Sequence, residues 1–433
     1  MKVTRSLPRR RFLKNLSVAT LAPIIVPASV LGRNGQVAPS NRITMACIGV
    51  GWMGTSNLER FLEEPDAQIV AVCDVDRNHL LDAKSKVDKK YGQGCTLYSD
   101  FRKVMDRKDI DAVMLGLPDH WHAIPAVMAA KSGKDIYAEK PLSHSLLEGR
   151  AICDAVRRYE RVWQTGSWQR SEANFRFACE LVRNGRIGKI HTVEVGLPAG
   201  HTDFAGTKGQ DELKPPPPEL DYDFWLGPAP YHPFAVSRLH KNWRWIMDYG
   251  GGQLMDWVGH HVDIAHWGLG FDQSGPLEIS GVGEYPKEGY YNSATRYRVN
   301  AKYPQDIEMV IAGGYDDIRG GTKWIGDKGW VWVNRGRIDA HPKSLLRENI
   351  GPDEKQLFKS PGHWRNFLDC VKSRNQTLTP CETAHHSAIP GHLGQISMLL
   401  GRKLRWDAEK EQIIGDVTAN EMLDNAMRDP WHL

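Results

Sequence analysis

The chain has 433 residues, of which 41% are hydrophobic, so it is long enough to form two domains with separate cores. Its formal net charge is +4, but the first 33 residues contain seven basic and no acidic side chains, so the remainder carries −3. A mildly acidic body without a basic stripe argues against nucleic acid or anionic lipid as a partner.

The N-terminal 35 residues have the pattern of a signal segment. Residues 9–14 read RRRFLK and precede a weakly apolar run at residues 16–31, an order that resembles a twin-arginine export signal. Pro23 and Pro27 interrupt this run, which therefore predicts no stable membrane span, although an uncleaved anchor is an alternative. We expect residues 1–35 to be read by the twin-arginine translocase and the protein to lie in the periplasm or elsewhere outside the cytoplasm.

Seven cysteines are scattered along the chain without a CxxC pair or a regular spacing. Two of them, Cys47 and Cys73, fall inside apolar runs that predict strands. We therefore expect small buried side chains rather than a disulfide framework. Such cysteine usage suits a protein that folds in the cytoplasm before it is exported.

A glycine-rich turn follows the first apolar run. Residues 43–48 predict a strand buried on both faces of a parallel sheet, and residues 53–63 have helical spacing. Glycines between them permit a tight turn, close approach of the backbone to a pyrophosphate, and close packing of a helix whose N-terminus faces the phosphates. The predicted cradle for a dinucleotide consists of Gly49, Gly51, Trp52, Met53 and Gly54.

Asp74 strengthens this interpretation, because it ends the next apolar run and lies 20 residues after Gly54. An acidic side chain at this place accepts hydrogen bonds from the ribose hydroxyls of NAD and repels a 2′-phosphate. Arg77 follows closely, and an arginine beside the ribose can accommodate NADP instead. NAD is therefore the predicted cofactor, with NADP as the second choice; a glycine-rich turn beside a strand-capping aspartate is the structural alternative.

Strands alternate with helices up to about residue 166 and then change character. The alternation predicts a doubly wound α/β domain over residues 41–166. Residues 167–433 contain runs of period two, which predict an α+β domain with a large, mostly antiparallel open sheet. One face of this sheet is expected to be solvated or to form a homo-oligomer.

Two segments at the ends of predicted strands carry groups suited to chemistry, since the carboxyl ends of parallel strands face the ligand crevice. The first contains Pro118 and His122, which we expect near the nicotinamide, with capping and packing as the alternative for the histidine. The second contains Glu139 and Lys140. An ammonium group at this place can stabilise a developing alkoxide, unless Lys140 only pairs with Glu139.

A third segment follows three glycines in the second domain. Asp256 and His260 are four residues apart and share one face if the segment is helical. A carboxylate one turn from an imidazole can orient it and raise its basicity, as a general base for a hydroxyl requires. A buried structural pair is equally compatible with this spacing. We expect no metal site from His260, His261, Asp263 and His266, because the spacing does not gather them on one face.

Together these residues resemble the glucose-fructose oxidoreductase, inositol dehydrogenase and MocA family (Gfo/Idh/MocA), from about residue 42 to the C-terminus. The matching features are the glycine fingerprint, Asp74, the 118–122 loop, the 139–141 signature and the Asp256-x-x-x-His260 pair. The chain departs from the family pattern at Val258, where glycine is common, and His261 directly follows the expected histidine. Either histidine can therefore be the one that faces substrate.

The resemblance implies that Lys140, Asp256 and His260 form the catalytic set and that the substrate is a pyranose, a glycoside, a cyclitol or a related polyol. Hydride would pass between a hydroxyl-bearing carbon and the nicotinamide. Side chains expected to hold neighbouring hydroxyls or to stack on the sugar ring are His122, Trp168, Arg170, Trp243, Trp245 and His261.

Export sharpens this expectation, because free nicotinamide nucleotides are scarce outside the cytoplasm. We therefore expect tightly bound NAD that is recycled in place by a second sugar. One alternative is a redox-neutral glycoside hydrolase or lyase that acts through a transient 3-keto sugar. A non-catalytic sugar-binding protein that retains NAD as a structural part is the other.

Overall fold

The computed structural model describes residues 37–433, so the predicted signal segment, residues 1–35, lies outside the described residues. Within this described part, no helix has the length and apolar character that crossing a membrane requires. Residues 43–433 form one compact unit that contains two β-sheets.

The first sheet has six parallel strands, as the doubly wound pattern predicts. The strands are β1 (Ile43–Ile48), β2 (Ala67–Cys73), β3 (Thr96–Tyr98), β4 (Ala112–Leu115), β5 (Asp135–Ala138) and β6 (Trp163–Thr165). Their order is β3-β2-β1-β4-β5-β6. The helices that connect them are α1 (Trp52–Glu63), α2 (Arg77–Tyr91), α3 (Phe101–Met105), α4 (Ala123–Lys131) and α5 (Leu146–Arg158). Two separate apolar clusters cover the two faces of the sheet, which explains why its central strands β1 and β4 are apolar.

The second sheet has nine strands in the order β13-β12-β11-β7-β10-β9-β8-β14-β15. They are β7 (Ile190–Leu197), β8 (Glu278–Glu284), β9 (Arg296–Tyr303), β10 (Ile307–Gly313), β11 (Gly321–Gly326), β12 (Gly329–Asn334), β13 (Arg337–His341), β14 (Leu404–Asp407) and β15 (Gln412–Ile413). Only β7 and β10 pair in parallel, so the predicted mostly antiparallel sheet is confirmed. Strand β9 alternates between buried and more exposed side chains, in keeping with its period-two sequence.

The helices of the second half are α6 (Ala173–Arg183), α7 (Tyr222–Leu226), α8 (Gly252–Trp257), α9 (Asp263–Leu269), α10 (His363–Ser373), α11 (Cys381–Leu400) and α12 (Val417–Glu421). Helices α8 and α9 are joined by a π-helical turn, Val258–Val262. The largest apolar cluster lies between the second sheet and helices that include α6, α9 and α11.

Residues 199–249 form a long excursion that we call the covering segment. It contains the four prolines at positions 215–218 and no strand of either sheet. Its aromatic side chains build a small core of their own, which includes Tyr222, Trp225, Trp243 and Trp245. The covering segment is therefore a packed layer of the protein.

All seven cysteines are buried and none forms a disulfide, which confirms the expectation from their spacing.

Candidate active site

A cavity lies at the carboxyl end of the first sheet, between that sheet and the covering segment. From the first half of the chain it is lined by Gly49, Gly51, Trp52, Met53, Asp74, Pro118, Asp119, Glu139 and Lys140, among others. The covering segment contributes Phe224, Trp225, His240, Lys241, Trp243 and Arg244. Eight of the eleven predicted cofactor-binding residues therefore line one cavity, and Gly54, Arg77 and His122 do not. From the opposite wall, the sequence had indicated only Trp243.

The turn between β1 and α1 has the shape of a phosphate cradle. Gly49 has a φ of +74°, and a Cβ there would lie 2.7 Å from the carbonyl oxygen of Gly116. A Cβ on Gly54 would lie 1.8 Å from the carbonyl oxygen of Gly49, so only glycine allows α1 to pack on the turn. A Cβ on Gly51 would meet no protein atom closer than 3.4 Å, on the ring of His79. The space beside Gly51 therefore belongs to the cavity.

Helix α1 begins after Gly51 without a side-chain cap, so no side chain occupies the amide groups of its first turn. Uncapped amides and the positive end of a helix bind phosphate oxygens well. The cradle fits the pyrophosphate of a dinucleotide.

Asp74 shapes this turn as well as lining the cavity. Its carboxylate accepts hydrogen bonds from the backbone amides of Val50 and Asp76, at 2.8 and 2.9 Å. Arg77 differs from expectation: it is exposed at the start of α2 and does not line the cavity. The basic side chains on this part of the cavity wall are His79, His240 and Lys241 instead, and the role predicted for Arg77 towards NADP has no support in the structure.

Among the described residues, Asp76, His79 and His240 form one group with the geometry to hold a metal ion, with their potential ligand atoms within 4.8 Å of one another. The carboxylate of Asp76 is already engaged, because it caps α2 through the amide of Asn78 at 2.8 Å and lies 3.0 Å from Nε2 of His240. The sequence did not indicate this group, since His240 is far from the other two along the chain.

Lys140 crosses from the first half of the chain to the second. Its ammonium donates hydrogen bonds to Oδ1 and to the carbonyl oxygen of Asp256, both at 2.8 Å. Arg244 donates from Nε to the same Oδ1 at 3.1 Å. Burial alone would raise the pKa of Asp256, but the two cations hold it below its ordinary value. Glu139 accepts from Asn57 at 2.8 Å, so the alternative Lys140–Glu139 pair does not form.

The structure does not form the predicted Asp256–His260 pair. The carboxylate of Asp256 binds Lys140 and Arg244, and neither ring nitrogen of His260 has a hydrogen-bond partner within residues 37–433. The carboxylate is taken by the two cations, and a π-helical turn at Val258–Val262 replaces the regular α-helix that the predicted pair assumed. Spacing alone could not reveal this turn.

His260 nevertheless lies beside Lys140, because a Cβ on the adjacent Gly259 would be 2.7 Å from Cβ of Lys140. Burial, and then the positive charge of Lys140, lower the pKa of His260 well below its ordinary value. The imidazole is therefore neutral near pH 7, the form that a general base requires, and the same effects make it a weaker base than a free imidazole.

His261 has a hydrogen-bond partner, whereas His260 has none within residues 37–433. Its ring stacks on Trp257 with 5.4 Å between centroids, and its Nδ1 lies 3.3 Å from Nε2 of Gln169. Trp168 lies 6.3 Å from the ring of His260, as expected for a residue at the substrate position. His260 is thus the better placed of the two adjacent histidines.

The two other tryptophans predicted to stack on the sugar, Trp243 and Trp245, differ in whether they reach the cavity. Trp243 lines the cavity, and its ring centre lies 4.4 Å from Cζ of Arg244. Trp245 is fully buried, and its indole nitrogen donates to the carbonyl of Thr202 at 2.9 Å. Trp245 therefore belongs to the core of the covering segment and offers no face to a sugar.

His122 also differs from expectation. Its two ring nitrogens lie 2.7 Å from the carbonyl oxygen of Pro141 and 2.9 Å from that of Leu117. The ring is buried and does not line the cavity, so it ties together the loops that follow β4 and β5.

Sequence reasoning missed Asp119, which faces the cavity next to Pro118. Burial raises the pKa of its carboxyl to about 8, against the opposing charge of Arg244. A protonated carboxylic acid therefore faces the cavity at neutral pH. No local pattern could identify it, because its burial depends on the covering segment.

Arg170 is not available to substrate hydroxyls. Its guanidinium donates to both carboxylate oxygens of Asp263 at 2.8 Å and to Asp272 at 2.6 Å, and its side chain is 3% exposed. The residue predicted for substrate binding is instead the centre of a buried ion cluster, which a sequence cannot distinguish from a binding site.

Arg170→Ala should lower the free energy of unfolding by about 3–5 kcal/mol, because it leaves the buried carboxylate of Asp263 without its partner. The affinity of the folded protein for its sugar should be unchanged. Chemical denaturation and ligand titration measure the two quantities, with the exposed Arg347→Ala as control. If Arg170→Ala has normal stability but loses sugar affinity, Arg170 binds substrate as the sequence predicted.

Comparison with known proteins agrees with this geometry. The profile of the oxidoreductase family with an NAD-binding Rossmann fold (GFO_IDH_MocA) matches residues 43–167, and the profile of its C-terminal alpha/beta domain matches residues 172–433. A myo-inositol 2-dehydrogenase of Thermotoga maritima is 27% identical over 374 residues, which cover 85% of this chain and 96% of that protein.

Two further proteins resemble the chain less extensively. An alpha-N-acetylgalactosaminidase of Shewanella oneidensis is 26% identical over 196 residues, or 43% of this chain and 42% of that protein. The crystal structure of an aldose-aldose oxidoreductase from Caulobacter crescentus superimposes with a TM-score of 0.61 at 18% identity, covering 84% of this chain and 99% of the other. The latter likeness concerns the fold alone.

The glycine cradle, the acidic end of β2 and the profiles that match both halves lead to one conclusion: this chain is an NAD-binding oxidoreductase of the Gfo/Idh/MocA family.

Proposed function

We propose that this protein oxidises a hydroxyl-bearing carbon of a sugar, glycoside or cyclitol at the cavity between the first sheet and the covering segment. The observation that carries the proposal is the contact of Lys140 with Asp256, which places an ammonium group beside the neutral ring of His260. Bound NAD would supply the hydride acceptor, and Gly51, Asp74 and the first turn of α1 would hold it.

The protein groups divide the proton chemistry between them. His260 accepts the proton of the reacting hydroxyl, since its nitrogens have no partner within residues 37–433. Lys140 uses two of its three donors on Asp256, so one N–H remains for the reacting oxygen. Asp256 and Arg244 position this ammonium. Trp168 and Trp243 are available to the apolar face of a sugar ring.

The two walls of the cavity support tight retention of the cofactor. Trp52 lies on the nucleotide side. Its ring centre is 5.3 Å from the ring centre of Phe204 and 5.1 Å from Nζ of Lys241, both in the covering segment. These contacts would slow the release of a cofactor held between the two walls. Retention of this kind suits a protein that is exported in its folded form, so we include export to the periplasm through the twin-arginine pathway in the proposal. We also propose that the protein is a homo-oligomer.

A second candidate is redox-neutral glycoside cleavage, in which oxidation at C3 acidifies the C2 proton, the glycosidic group leaves, water adds, and the ketone is reduced again. The partial match to an alpha-N-acetylgalactosaminidase favours it. So does Asp119, a neutral acid in the cavity that could protonate the leaving group. A non-catalytic sugar-binding protein is the remaining alternative.

Incubation of the purified protein with aryl glycosides and with free sugars, without added cofactor, tests these functions. We expect fluorescence of reduced nicotinamide when a sugar donor is added and its decay when a second sugar acts as acceptor. Release of the phenol without lasting reduction would establish redox-neutral cleavage instead. Sugar binding with neither nicotinamide reduction nor phenol release would support the non-catalytic sugar-binding protein.

A further inference from the structure

Arg335 lies at the turn between β12 and β13, beside the candidate base. Its Cζ is 4.8 Å from the ring centre of Trp168 and 4.6 Å from that of Trp257. Both indoles also contact His260, at 6.3 and 5.3 Å between centroids. Arg335 therefore belongs to the surroundings of the proposed reaction centre, although it lies far from it along the chain.

Arg335 differs from the other arginines near this centre because it has no counter-ion. Arg170 pairs with Asp263, and Arg244 pairs with Asp256. The side chain of Arg335 makes one hydrogen bond within the described residues, from Nε to Oε1 of Gln169 at 3.1 Å, so its two terminal nitrogens have no partner in this part of the chain. A guanidinium fixed by two indoles and one amide needs little further ordering before it binds an anion.

The positive charge around His260 also favours binding of an anion. Lys140 and Arg244 share the single carboxylate of Asp256, which leaves Arg335 as an additional positive charge. After burial, this charge contributes to the lowered pKa values of both His260 and His261, so its field reaches the candidate base. The side chain remains open to solvent, where an incoming ligand can meet it.

We infer that the substrate carries a carboxylate group, as a uronic acid or its glycoside does, and that the two terminal nitrogens of Arg335 bind it. Paired N–H donors at one edge of a guanidinium match the two oxygens of a carboxylate. This inference rests on the proposed function, since it places the anchor for the sugar beside the group that accepts its proton. The adjoining Trp168 and Trp257 would exclude water from one side of the ion pair.

The test is a binding titration of the full chain with its bound nucleotide, followed by intrinsic tryptophan fluorescence and calorimetry. The probes are glucuronate, galacturonate and mannuronate, each compared with glucose, galactose or mannose. We expect at least one acid to bind roughly 10- to 100-fold more tightly than its neutral parent, and this preference to weaken at high salt. Arg335→Gln should abolish the preference. Arg337→Gln, an exposed arginine at the start of β13 on the same hairpin, should retain it.

Three results would overturn the inference: equal affinities for acids and parents, a preference that persists in Arg335→Gln, or no binding of any acid. Glucose 6-sulfate separates the kinds of anion, because a preference for the sulfate ester alone would exclude the carboxylate. Turnover is read separately from binding. Oxidation of neutral sugars without an acid preference would leave the proposed function intact and remove only this inference. Tight uronate binding without oxidation would support the carboxylate site and contradict the proposed oxidation.

Discussion

Lys140→Met is expected to lower kcat by about 10³-fold while the protein still contains its nucleotide. The substitution removes the ammonium that contacts Asp256 beside His260, and with it the hydrogen bond to the developing oxyanion. Methionine keeps most of the length of the side chain, so the contact with Gly259 is largely preserved. The measurement is the single-turnover rate of nicotinamide reduction by the preferred sugar.

The control is Lys131→Met, at the exposed C-terminal end of α4, which should leave kcat unchanged. Thermal unfolding and nucleotide content are measured on both variants, so that a folding defect is recognised. A Lys140→Met protein with near-normal turnover would contradict the catalytic assignment. In a binding protein, the substitution would affect sugar affinity without any turnover to lose.

Gly51→Val should empty the cofactor site without unfolding the protein. The backbone at Gly51 has a φ of −71°, which any residue adopts, and a Cβ there meets only the ring of His79 at 3.4 Å. The added isopropyl group would therefore occupy the space that the glycine leaves for phosphate. We expect roughly 100-fold weaker NAD binding, equal to about 2.7 kcal/mol.

The nucleotide released on denaturation, identified by mass and counted per chain, measures this effect. The wild-type protein should release close to one NAD, and Gly51→Val little or none, at a similar unfolding temperature. Gly320→Val is the matched control, because a Cβ at Gly320 meets nothing closer than 4.0 Å and the residue does not line the cavity. Full NAD content in Gly51→Val would show that the cradle does not hold the pyrophosphate.

Two of the site predictions failed for one physical cause, which is that an ionisable side chain takes the partner that folding brings to it. Arg170 looked like a substrate ligand but neutralises Asp263, 93 residues away. Asp256 looked like the partner of His260, yet Lys140 reaches it from 116 residues away. Neither contact leaves a periodic signal in the chain.

The strands of the two sheets also show how far a local sequence pattern can predict structure. Strands β1 and β4 could be located because each is an apolar run that is almost fully buried. Strand β8 has a much weaker pattern, because Gly281 and Gly283 interrupt it. The structure explains Gly281: a Cβ there would lie 2.6 Å from Cγ of Met398 and 3.0 Å from the carbonyl oxygen of Gly394, so close packing against α11 requires the glycine.

The sequence by itself determined the nucleotide half, because strand, turn and helix follow from local periodicity and from glycines at fixed spacing. It also identified Lys140, Asp256 and His260, through motifs that occupy short stretches of chain. Only the tertiary structure decided which of these groups touch, that the covering segment and Asp119 line the cavity, and that Arg335 lies near His260. Burial and charge pairing depend on residues distant in sequence, and a local pattern contains no information about them.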